Sequence, residues 1–224
     1  ILSFTAFLLV YFFIKEPELR KEKTKTSADE FLKILKDINL FRMNFGIFVL
    51  HATQISMFMT IPIYLVNQGG INLSDHWQIY LPVLFFSFLL MIPIIIFSEK
   101  FNKIKIAFLS SIIILFVAQL VFIIFGNTLF GIILALLIYF VGFNFLEAFL
   151  PSLVSKIAPI NKKGLALGVY NTSQSLGIFV GGALGGLITK VYGYNASFIF
   201  CVALIFLWFV LSLGMKVGNY KKAN

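Results

Sequence analysis

Six long apolar runs dominate the chain, at about residues 39–66, 77–97, 104–125, 129–157, 164–192 and 196–215. Each reaches or exceeds the roughly 20 residues that a helix needs to cross the hydrocarbon core of a bilayer. Hydrocarbon offers no partner to an unpaired amide, so runs of this length fold as helices that close their own hydrogen bonds. Composition points the same way: 60% of the 224 residues are hydrophobic, 12% are charged and the mean hydropathy is +0.98. The fold class read from this pattern is an all-α integral membrane bundle, over residues 39–215. A seventh run, 1–14, is too short to span and lacks a basic flank and a small-residue cleavage site. It is expected to be the end of a truncated helix rather than a signal peptide.

The formal charge of +9 raises nucleic acid as a partner, but the cations sit in short clusters between apolar runs. Seventeen of the eighteen Lys and Arg residues fall within Lys15 to Arg42, Lys100 to Lys105, Lys156 to Lys163 and Lys216 to Lys222. These are alternate connections, which share one side of the membrane. The positive-inside rule makes that side cytoplasmic and puts the NQGGINLSDH and GNT connections outside. No nucleic acid is expected; the negative partner is membrane lipid. The hydrophilic stretch 15–38 reads as a cytoplasmic linker with an amphipathic helix, opened by Ser27 and Glu30 at capping-box spacing and followed by Phe31, Ile34, Leu35 and Ile38. Residues 216–224 read as a cytoplasmic tail.

Polar residues within the runs nominate the sites. Asn44 and His51 share one helical stripe with Phe58, and Gln54 lies beside it. A histidine in a span is either a hydrogen-bonded packing residue or a proton carrier. His51, Gln54, Tyr139, Asn144, Asn171 and Gln174 are the candidates for a polar cavity wall. Trp77 and Tyr80 mark the outer interface, and Pro82 and Pro93 are positions where the second span can bend. In GIFVGGALGG, Gly177, Gly181 and Gly185 fall on one stripe and Gly182 and Gly186 extend it to one side. Small residues let helices approach closely where lipid gives no hydrophobic reward for pairing, so these five are read as a packing face. Cys201 stands alone in an apolar run, which leaves no thiolate metal site and no disulfide within the chain. Neither a metal nor a cofactor is expected.

Glu147 is the one acid deep within a run. Counted from Leu129 at about 1.5 Å per residue, it lies some ~27 Å inward, near the cytoplasmic boundary of a ~30 Å core. Two readings stand. Glu147 is a gate acid paired with Lys100, Lys103 or a base outside this chain, or it is a carboxylate that titrates in the physiological range. Depth and the nearby cationic turns favour the gate.

The turn SEKFNKIK between the second and third runs, the long basic linker ahead of six spans, and PSLVSKIAPINKKGLALGVYNTSQSLGIFVGGALGG across the fourth and fifth together resemble the C-terminal half of a major facilitator superfamily transporter. LPSLVSKIAP, GVYNTSQSLG and HWQIYLPVL are similar to the YajR-type group of drug and proton antiporters. The resemblance implies two inverted three-helix repeats, with residues 1–14 as the end of a sixth transmembrane helix and the missing N-terminal half as partner. It implies a cytoplasmic gate in which Glu99 and Lys100 take the acid and base places and Lys103 the distal basic place, with Asn102 where the family has glycine. It also implies that the glycine-rich fifth span is the repeat counterpart of an antiporter motif in the other half. The function so implied is proton-coupled export of small molecules by alternating access, in a bacterial inner membrane. A membrane enzyme needs converging catalytic groups, and the spans hold one acid and one of the two histidines. A channel needs a charged ring or a filter, and no run supplies one.

Overall fold

The computed structural model describes residues 2–13, 28–101 and 103–215. Its helices are α1 (Leu2–Phe13), α2 (Ala28–Lys36), α3 (Ile38–Asn67), α4 (Trp77–Lys100), α5 (Ile104–Phe125), α6 (Leu129–Ile157), α7 (Lys163–Tyr192) and α8 (Tyr194–Leu213), with single 3-10 turns before α4 and α7. The six from α3 to α8 are long and apolar enough to cross a membrane.

Local chemistry sets several ends. The Asp37 carboxylate accepts from the amides of Asn39 and Leu40 at 2.8 and 2.9 Å, which starts α3. Thr128 does the same for α6, accepting from the Gly131 amide. The turn from α7 into α8 is one residue, Gly193, at φ +86°, a conformation that glycine adopts without steric cost. At the far end of α8, Arg42 donates to the carbonyls of Leu211 and Gly214, and Lys105 to that of Leu213. Two cations from α3 and α5 thus satisfy carbonyls that a helix C-terminus leaves open. The cap expected at Ser27 and Glu30 and the glycine-for-Asn102 exchange lie outside the described residues and side chains.

The helices form two triplets, α3–α5 and α6–α8, whose first members sit at the centre. α3 packs against α7 and α8 of the other triplet, and α6 against α4 and α5. Spanning helices alternate in direction, so helices three apart run oppositely, and the exchange of partners gives the arrangement of two interlocked inverted repeats. The seam of α3 with α7 is the most extensive. Across it the Ser56 hydroxyl donates to the Gly181 carbonyl, and on its other sides α3 receives bonds from α8 and α6: Ser197 to the Ser56 carbonyl, Cys201 to that of Thr53 and Tyr139 to that of Leu50. α4 and α7 are the least covered of the six. α2 seats Ile34 against the bundle and leaves Phe31, Leu32 and Leu35 exposed.

Two expectations change in detail. α4 continues through Glu99 and Lys100, because the Phe101 amide still finds the Phe97 carbonyl at 3.1 Å, so the acidic-basic pair sits on the helix end rather than in the turn. The glycine face divides. A Cβ at Gly177 or Gly181 would run into the backbone carbonyls of Phe48 and Ala52, and one at Gly185 into the Ser56 hydroxyl. At Gly182 the contacts would be ordinary, and at Gly186 there is open space. Close approach therefore rests on three glycines; the other two point about 100° away from the seam.

Candidate functional site

The side chains that converge near mid-bundle come from α3, α6 and α7. His51 is on α3, within about one turn of that helix's midpoint. Its Nε2 lies 2.8 Å from the Gln174 side-chain nitrogen of α7 and 3.8 Å from the Glu147 Oε2 of α6, and its Nδ1 lies 3.3 Å from the Ile47 carbonyl. The ring stands edge-on to Phe143, with centroids 5.8 Å apart. His51 is buried, and the Glu147 side chain is 39% exposed. Even so, the Glu147 Oε2 and the Tyr170 hydroxyl are each buried without a hydrogen-bond partner. Tyr170, four residues before Gln174 and on the same face of α7, lies within electrostatic reach of Glu147.

Within the described residues the charged partner of Glu147 is His51. Among the described residues neither Lys100 nor Lys103 approaches it: their ammonium groups sit 5.8 Å from the ring centres of Phe101 and Phe97. α6 is 29 residues long, about 43 Å, and so exceeds the ~30 Å thickness of a hydrocarbon core. Counted from the helix midpoint, Glu147 is about one turn toward the C-terminal end of α6, where it meets His51.

The remaining candidates scatter. Tyr139 is fully buried inside the bundle, with its hydroxyl 3.3 Å from that of Thr53, so it braces α6 on α3 rather than walling a cavity. Asn144 donates to the Ser87 hydroxyl at 3.0 Å, which ties α6 to α4. Asn171 is exposed on α7, and Gln54 is half-buried on α3. Glu99 stands at the end of α4 without an ion pair among the described residues. Sequence reasoning did not single out Tyr170 as a member of the site. Its position one turn before Gln174 was the signal.

Aromatic contacts continue from the site: Phe143, beside His51, meets Phe140 at 6.0 Å. Phe58 packs against Tyr80 at 5.8 Å and against Phe140 at 6.0 Å, between α3, α4 and α6.

The sequence matches the Major Facilitator Superfamily over residues 1–182 and again over residues 90–222. The chain belongs to that superfamily. It is 35% identical over 190 residues to the inner membrane transport protein YajR of Escherichia coli (strain K12), which covers 85% of this chain and 42% of that protein. It is 32% identical over 224 residues to an uncharacterized transporter of Buchnera aphidicola subsp. Schizaphis graminum, covering 96% of this chain and 56% of the relative. A shorter match, 30% over 78 residues, links it to the multidrug resistance protein MdtG of Proteus mirabilis, covering 34% of this chain and 19% of that protein. The chain spans about half the length of the relatives that it matches along most of its length. It is an integral membrane protein of a transporter family that resembles YajR-type proteins.

Proposed function

We propose that the chain is the C-terminal half of a secondary active transporter that exports amphipathic organic cations in exchange for protons. The observation that carries the reading is the meeting of His51 and Glu147 at 3.8 Å near mid-bundle. A base and an acid so placed can hold one proton between them. Burying an unpaired charge in a membrane is costly, so proton binding and cation binding compete for the same carboxylate. That competition is what an exchanger needs: the cation leaves when the proton arrives.

The uncovered faces of α4 and α7 support a second half docked across the site, as does the half-length coverage of the relatives. In this arrangement α1, which packs on no other element among the described residues, belongs to that other half. Residues 15–38 then form the cytoplasmic linker between halves, and Glu99, Lys100 and Lys103 face the second half as a cytoplasmic gate. The relative named as a multidrug resistance protein supports drug-like small molecules as substrate class, and the carboxylate of Glu147 supports cationic ones.

The test uses the full-length protein in liposomes, with a panel of fluorescent organic cations that includes ethidium and with pH gradients imposed in both directions. Transport of at least one cation should follow the gradient and stop on addition of a protonophore. Transport that is indifferent to collapse of the gradient would overturn proton coupling.

A further inference from the structure

Proton exchange at His51 requires that something on the moving helices respond to the ring's charge. The geometry points to Gln174. Its side-chain nitrogen faces the ring Nε2 at 2.8 Å, and an amide NH2 has hydrogens to give and no lone pair to offer. Nε2 is therefore the acceptor, and the ring proton sits on Nδ1, which the Ile47 carbonyl receives at 3.3 Å. This is one tautomer of the neutral ring, held from both ends. It also explains the unpartnered Glu147 Oε2, which at 3.8 Å faces a nitrogen that carries no hydrogen.

We propose that Gln174 is a positioning residue that reads the protonation state of His51, its amide donating to the neutral ring and turning over to offer Oε1 once Nε2 gains a proton from solution. With a hydrogen on Nε2, the original orientation sets donor against donor 2.8 Å apart. Rotation of the amide removes the clash, and the ring N–H is then shared between the Gln174 Oε1 and Glu147. Tyr170, whose hydroxyl is buried, unpartnered and within electrostatic reach of Glu147, can turn to donate to that carboxylate in the same rearrangement. Both residues come from one face of α7, so the proton state is read by a single helix.

The titratable groups that face the ring are Glu147 from α6 and, beyond it, Tyr170 from α7. The charged residues of α4 and α5 lie at their cytoplasmic ends, and α8 has none. The amide sits one turn from Gly177, where α7 lies directly on the Phe48 backbone. A change in its hydrogen bonding therefore acts at the inner end of the α3–α7 seam. The proposal rests on the proton-exchange reading for its role in transport, whereas the amide exchange itself follows from the hydrogen bonds alone.

The experiment is nitrogen NMR on the full-length protein in liposomes, with histidine rings and glutamine side chains labelled and His51 assigned by difference against His51→Asn. At alkaline pH the ring should show one neutral tautomer, with hydrogen on Nδ1 and Nε2 accepting from Gln174. On acidification the Gln174 amide signals should move with the same midpoint as the ring. In Gln174→Leu the alkaline ring should become a mixture of both tautomers. A neutral ring with hydrogen on Nε2, a Gln174 amide that stays still while the ring titrates, or an unchanged tautomer in Gln174→Leu would each overturn the assignment. The wild-type spectra decide even if the variant fails to fold. If they behave as expected while pH gradients drive no transport, the amide switch stands and the exchanger reading falls.

Discussion

At the scale of residues, the polar groups of the spans were legible one by one, but their partnerships were not. Stripe analysis puts Asn44, His51 and Phe58 on one face of α3, and it cannot say which helix that face meets. His51 and Glu147 are far apart in sequence and join because α3 and α6 cross at the centre of the two triplets. The pairing makes a specific prediction: a double-mutant cycle between Glu147→Gln and His51→Asn should show coupling of about 1 kcal/mol or more in the binding of a transported cation, whereas a cycle between Glu147→Gln and Lys100→Gln should show none. Coupling to Lys100 and not to His51 would restore the gate role. A second prediction concerns Gly46, where a Cβ would come within 2.7 Å of the Trp208 indole nitrogen. Gly46→Ala should destabilise the bundle by about 1–3 kcal/mol, the usual cost of overpacking, measured by thermal unfolding in detergent.

At the scale of elements, the spans were legible because hydrocarbon admits so few structures. The run at 39–66 became Ile38–Asn67 and the run at 164–192 became Lys163–Tyr192, differences of the size that helix ends ordinarily show. The glycine face was legible as a face, whereas the division within it depends on where α3 lies, which no single helix encodes. That division can be measured. Gly181→Leu forces α7 off the Ala52 backbone and should slow the transport cycle severely, with Gly181→Ala milder, while Gly186→Ala should be neutral because nothing lies within 4 Å of its Cβ position. Comparable turnover in Gly181→Leu and Gly186→Ala, at matched levels in the membrane, would remove the close-approach account. The C-terminal end of α8 offers a parallel test. Arg42→Ala leaves the Leu211 and Gly214 carbonyls without their cation and should cost about 1 kcal/mol.

At the scale of the whole molecule, two triplets that exchange partners about α3 and α6 place one acid–base pair at the centre of the bundle and leave α4 and α7 the least covered helices. The Lys and Arg clusters predict a direction across the membrane. Cysteines placed at Asn72 and at Lys162, with Cys201→Ala as background, should react oppositely with an impermeant thiol reagent in intact cells, Asn72 labelled and Lys162 protected. Equal labelling would contradict the orientation. The central claim is that the Glu147 carboxylate, beside His51, is where proton and cation compete, and one comparison tests it most directly. Full-length wild type and Glu147→Gln are reconstituted side by side, and movement of the same transported cation is measured twice, as exchange without a pH gradient and as net transport driven by one. The account predicts that Glu147→Gln needs higher cation concentrations for exchange and loses the gradient-driven component. Gradient-driven transport that survives in Glu147→Gln at the wild-type rate would contradict it.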